Sequence, residues 1–233
     1  VELRLIRNRL YEAQPLINRI REIDPDAPLY YYLQGKLLLR KGWYHQAGKL
    51  SENIPSSCYR EKSVYLKAHA AMKLKQYRTA AEHFGKLYRR ERTSREVLEH
   101  YVTCLEKSGR YEEAMEVLSH SLATFPNSTR IRLRLSSLSG ISKGDRTRLP
   151  FLSSILNMSP CHNSAILQTG IVYHKLGNDL LAKYYLHRSM GIDPKNFSLK
   201  RYLAVIDPVD VPLEQYLEKR DPEQLALEGN EFR

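Results

Sequence analysis

Pro126, Pro160 and Pro194 stand 34 residues apart, and this period restricts the fold more than any other feature of the chain. Self-similarity at about 20–50 residues marks an array of small supersecondary units that bury their apolar faces only by stacking on one another. Proline cannot continue a helix, because it lacks the N–H donor and its ring collides with the preceding turn. Small residues keep the same frame. Ala114 and Ala182 each lie twelve residues before a proline of the series, Ala13 lies twelve before Pro25, and Ala47 and Ala80 fall between them with one residue missing at their junction. Arg148 takes the alanine place in the unit from 129 to 162. Gly42, Gly109 and Gly177 precede Ala47, Ala114 and Ala182 by five residues, and Tyr44, Tyr111 and Asp179 follow those glycines by two. Glycine accepts the positive φ that closes a helix, so the marks read as helix, turn, helix. Between them apolar residues recur at helical spacing, as in Val64, Leu66, Ala68, Ala71 and Met72, or Val97, Leu98, Tyr101, Val102 and Leu105. Strand-type alternation is not sustained anywhere. The expected fold class is all-α, with about six helix-turn-helix repeats of 34 residues.

These marks resemble the tetratricopeptide repeat (TPR) family, whose signature runs aromatic, Leu-Gly, Tyr, then Ala, an aromatic and Pro over about 34 residues. The unit 163–196 matches best, with Gly170, Tyr173, Gly177, Ala182 and Pro194 in register; the unit from Pro28 supplies Gly35, Gly42, Tyr44 and Ala47. The resemblance implies a right-handed superhelical solenoid over residues 1–206. The unit 129–162 departs from it, with Ser136 and Arg148 where small Gly and Ala would let helices approach, and with Pro150 inside the second helix; that helix is expected to be distorted or shortened. Residues 207–233 carry Pro208, Pro212 and Pro222 and read as a capping segment or a linker.

Composition fits a folded chain, with 42% apolar and 27% charged residues. No stretch approaches the ~20 apolar residues that span a bilayer, and the start at Val1 lacks the pattern of a signal peptide. Helical periodicity already running at residue 1 suggests a segment of a longer protein. Cys58, Cys104 and Cys161 are odd in number and form no C-x-x-C pair, which fits a reducing compartment; an intracellular location, cytoplasmic or nuclear, is expected. The net charge of +11 is concentrated early, since residues 1–92 hold 19 Lys/Arg against 9 Asp/Glu.

No catalytic pattern emerges. Gly140 to Gly144 lacks the residue order and the preceding strand of a phosphate loop, His162 beside Cys161 has no second ligand pair at zinc spacing, and neither a G-x-S-x-G elbow nor an H-E-x-x-H helix occurs. No enzymatic role, cofactor or metal is expected. A protein–protein interaction scaffold or adaptor of a multi-subunit assembly is expected instead. The resemblance implies that first helices line a concave groove and present the second, fifth, ninth, twelfth and thirteenth residues of each repeat. Here those positions give Tyr32, Lys36 and Arg40, then Lys62, Tyr65, His69, Met72 and Lys73, then Glu96, Glu99 and Thr103. Tyr32 should neighbour Tyr65, Lys36 should neighbour His69, and Arg40 should neighbour Lys73. The stripe is basic and aromatic, then acidic, and suits a protein or peptide with acidic residues opposite Lys36 and Lys73. The same tyrosines also fit padding between first helices. The chaperone-tail clamp of the family requires Lys at a fifth position, where this chain has Tyr32, Tyr65, Glu99, Leu133 and Leu167. Two other readings stay open: nucleic-acid binding through the basic N-terminal half, and self-association through the ends of the stack.

Overall fold

The computed structural model describes residues 10–54 and 59–206. The segment 207–233, expected to cap or link, lies outside the described residues, as do Cys58 and residues 1–9. The described chain is helical and contains no strand. It divides into two compact units, Val1–Val117 and Leu118–Arg233.

The first unit holds α1 (Leu10–Ile23), α2 (Pro28–Lys41), α3 (Tyr44–Leu50) with a 3-10 turn at Ser51–Asn53, α4 (Arg60–Lys73), α5 (Tyr77–Arg90) and α6 (Arg95–Lys107). Helix α7 (Tyr111–Thr124) includes the boundary. The second unit continues with α8 (Thr129–Lys143), a 3-10 turn at Asp145–Arg148, α9 (Leu149–Met158), α10 (Asn163–Lys175), α11 (Asp179–Ile192) and α12 (Phe197–Ile206).

Several helix boundaries have a local chemical cause. Gly42, Gly109 and Gly177 have φ of 83°, 77° and 79°. In this left-handed conformation the next residue's N–H turns back to a carbonyl of the last helical turn: Trp43 to Leu38, Arg110 to Leu105, and Asn178 to Tyr173, each at 2.9 Å. The repeat between Gly42 and Gly109 makes the same turn without glycine. There Lys75 takes φ 61° and Gln76 N–H donates to Ala71 O at 2.9 Å. From α6 onward first helices begin on a cap that repeats every 34 residues: Ser94, Ser128, His162 and Asn196 accept from the N–H three residues on. His162 does so through Nδ1, so this imidazole serves the start of α10.

Packing follows the alanine frame. Ala13, Ala47, Ala80, Ala114 and Ala182 are all fully buried, at the positions where paired helices come closest. Gly35 and Gly170 play the same part on first helices: a Cβ on Gly35 would stand 2.5 Å from Leu66 Cδ1, and one on Gly170 would stand 2.8 Å from Leu186 Cγ and 3.2 Å from the Ala182 carbonyl. Between residues 129 and 162 the second helix, α9, has 10 residues, against 14 in α5, α7 and α11. Pro150 falls in its first turn, where the missing N–H would have had no helical partner anyway. The preceding residues fold as the 3-10 turn and tie themselves to α8 by hydroxyls: Ser136 Oγ donates to Arg148 O at 3.4 Å and Thr147 Oγ1 to Ser139 O at 3.0 Å. Polar bridging takes the place of an apolar small-residue contact. In α12, Leu199 and Leu203 pack with Ala182 and Leu186 of α11, so residues 197–206 repeat the role of a first helix.

Candidate functional site

The groove positions read from the sequence fall on α2, α4 and α6, all within the first unit. Helix α2 supplies Tyr32, Lys36 and Arg40 at intervals of four, which puts them on one face. Tyr32 is 8% exposed and belongs to the apolar cluster with Leu33, Leu37 and Leu66. Its ring carries two ammonium groups, Lys36 Nζ at 5.2 Å and Lys62 Nζ at 4.9 Å from the centroid, an arrangement favoured by the ring quadrupole. Lys62 also lies 4.3 Å from the Tyr59 ring centroid. Tyr32 thus works as an anchor for cations rather than as an exposed ring.

Helix α4 supplies Tyr65, His69, Met72 and Lys73. Tyr32 and Tyr65 line one shallow pocket with Lys62, Arg90 and Val97. The Tyr65 hydroxyl donates to Glu96 Oε1 at 3.0 Å; burial, then the Glu96 carboxylate, push its pKa well above the ordinary phenol range. His69 lies with its ring centroid 4.2 Å from Tyr65, 5.1 Å from Phe84 and 4.8 Å from His100. Burial first, then the neighbouring His100, Lys73, Lys36 and Arg40, push the His69 pKa down to about 3. This imidazole is neutral, and its buried Nε2 has no hydrogen-bond partner among the described residues. Lys36, Arg40 and Lys73 therefore all act on the same ring. Met72 is half-buried, and its carbonyl receives the Lys75 N–H at 3.1 Å.

Helix α6 supplies the acidic side. Glu96 is exposed and stands 3.9 Å from His100 Nε2. Burial lowers the His100 pKa against the opposing pull of Glu96 and Glu99, with Lys73 adding to the lowering. Phe84 of α5 stacks on His100 at 5.4 Å and so holds both imidazoles from behind. Thr103 Oγ1 donates to the Glu99 carbonyl within α6 at 2.7 Å. One nitrogen or oxygen from each of His69, Glu96 and His100 lies within 4.8 Å of the other two.

Equivalent repeat positions meet at Tyr32 and Tyr65 and at Lys36 and His69. Further contacts join positions about one turn apart: Tyr65 bonds Glu96, His69 meets His100, and Tyr32 meets Lys62. Such offsets arise where ridges of one helix seat in the grooves of the next. His100 is the member of this cluster that the groove positions missed. Its signal was the Glu96–His100 spacing of four on one helix, next to a histidine in the preceding repeat.

A family model described as tetratricopeptide repeat matches residues 71–136, and one described as anaphase-promoting complex, cyclosome, subunit 3 matches residues 7–87. No curated protein matches the chain in sequence. Among solved structures the chain is similar to YrrB, described as a TPR protein with an unusual peptide-binding site, at TM-score 0.62 and 17% identity, covering 80% of this chain and 96% of that one. It is similar to MamA from Desulfovibrio magneticus RS-1 at TM-score 0.60 and 15% identity, covering 73% and 97%. Likeness at such identities shows the fold, an all-α solenoid of helical hairpins. The 34-residue period, the left-handed turns and the family match over residues 71–136 fall in one frame, so the chain carries helical repeats of the tetratricopeptide type.

Proposed function

We propose that this chain is a scaffold or adaptor module of a multi-subunit assembly, and that it holds an extended, acidic partner segment against the face of α2, α4 and α6. The observation that carries the reading is the convergence of Lys36, Arg40, Lys62 and Lys73 on the Tyr32–Tyr65–His69 row. Cations held on aromatic rings lose less freedom when they meet a carboxylate than freely rotating ones, and complementary charge fixes the register of a bound segment more than it adds raw affinity. Glu96 and Glu99 give the row a second sign at α6, so a segment whose acidic stretch is followed by a basic residue has one preferred direction. The peptide-binding site named for YrrB and the match to a subunit of a complex support a binding role within an assembly.

The test is an array of overlapping acidic peptides probed with the wild-type chain and with Lys36→Glu/Lys73→Glu, with circular dichroism to verify folding. Capture by wild type and a loss of at least about tenfold in the folded variant is the expected result. Equal capture by both removes this face, and steeply salt-dependent binding of random oligonucleotides instead of peptides replaces the reading with a nucleic-acid one.

A further inference from the structure

We propose that His69, Glu96 and His100 form a site for a divalent transition-metal ion such as Zn²⁺, distinct in chemistry from the capture of a partner by the surrounding lysines. Two imidazoles and a carboxylate are a ligand set of borderline softness that suits zinc and its neighbours, with further positions left for water or an incoming carboxylate. Glu96 and His100 are four residues apart on α6, so both side chains leave the same face of one helix, and His69 meets them from α4. Their candidate ligand atoms lie within 4.8 Å of one another, and the Glu96–His100 pair is already at 3.9 Å. A tetrahedral ion with bonds of ~2.0–2.1 Å needs separations of roughly 3.3 Å. Closing that difference calls for rotation of the exposed Glu96 side chain and a shift of both imidazoles within their Phe84 contacts.

The surroundings are those of a held site. Phe84 packs edge-on to His69 and stacks with His100, which restricts both rings. His69 Nε2 is a buried nitrogen without a partner among the described residues, a state that native structures rarely keep and that a coordinated ion would resolve. Tyr65 donates to Glu96 Oε1, the oxygen that stands 3.9 Å from His100 Nε2, and orients the carboxylate as outer partners of metal ligands do. Opposing this, Lys36, Arg40 and Lys73 face His69, and Lys73 also acts on His100. They repel a dication, and Glu96 and Glu99 offset them, so the site is weaker than a closed four-ligand structural site.

The experiment titrates ZnCl₂ calorimetrically into the chelator-stripped full chain, alongside Glu96→Gln, His100→Gln and His162→Gln. One saturable equivalent in wild type and in His162→Gln is expected, with affinity reduced at least ~10-fold in Glu96→Gln and in His100→Gln. Glu96 is exposed, so its variant keeps the fold and decides the matter even where a histidine variant does not. Absence of saturable binding, or wild-type affinity in Glu96→Gln, overturns the proposal.

Discussion

Lys75 illustrates how much one residue's backbone decides. Its φ of 61° is the left-handed conformation that costs an L-residue roughly 1–2 kcal/mol through contact of Cβ with the backbone. The turn requires it regardless, because the repeat frame places the end of α4 there. Lys75→Gly is therefore expected to stabilise the chain by about 0.5–1 kcal/mol, part of the relief being returned as unfolded-state entropy; chemical denaturation measures it, and a loss of stability would contradict the account. Cys104 and Cys161 differ for a different reason. Cys104 is fully buried, and burial pushes its thiol up to about 11 from the usual 9.0, whereas Cys161 is exposed. In the native chain Cys161 is expected to react with a maleimide well before Cys104. The unfolded thiol ionises first as pH rises, so Cys104 contributes a loss of stability between about pH 9 and 11 and none below it. Cys104→Ala removes that component of the high-pH melting profile.

At the scale of the element, the marks legible in the sequence were those whose chemistry is local. A glycine after a helix and a proline between two act within a few residues. The left-handed turns at Gly42, Gly109 and Gly177 and the alanine frame were accordingly readable. What escaped was any element whose form depends on what it meets. The break at Ser136 and Arg148 announced the shortened second helix, but not that hydroxyls of Ser136 and Thr147 would join the 3-10 turn to α8. The close approach of α10 and α11 yields a direct test. Gly170→Ala places a methyl 2.8 Å from Leu186 Cγ and 3.2 Å from the Ala182 carbonyl. It is expected to cost about 1–3 kcal/mol, although alanine is the better helix former, and calorimetric melting gives the sign.

Across the whole molecule, repeats that contact mainly their sequence neighbours share stability locally rather than uniformly. Helix α3 has 7 residues and α9 has 10, so residues 44–54 and 145–158 are expected to exchange amide hydrogens faster than the 14-residue helices α5 and α11. Hydrogen-exchange mass spectrometry checks this, and equal protection throughout would imply a single cooperative core. The candidate surface was partly legible on the same grounds. Repeat positions brought Tyr32 to Tyr65 and Lys36 to His69, because equivalent residues must lie on neighbouring first helices. They could not foresee that Tyr32 would be buried with two lysines on its ring, or that His69 would meet His100. The sequence by itself determined the all-α class, the 34-residue frame and its punctuation, since these arise from backbone chemistry within each repeat. Only the tertiary structure decided which contacts form about one turn away from the equivalent positions, and with them which charges and imidazoles converge, because ridge-into-groove packing is a property of two surfaces and not of either alone.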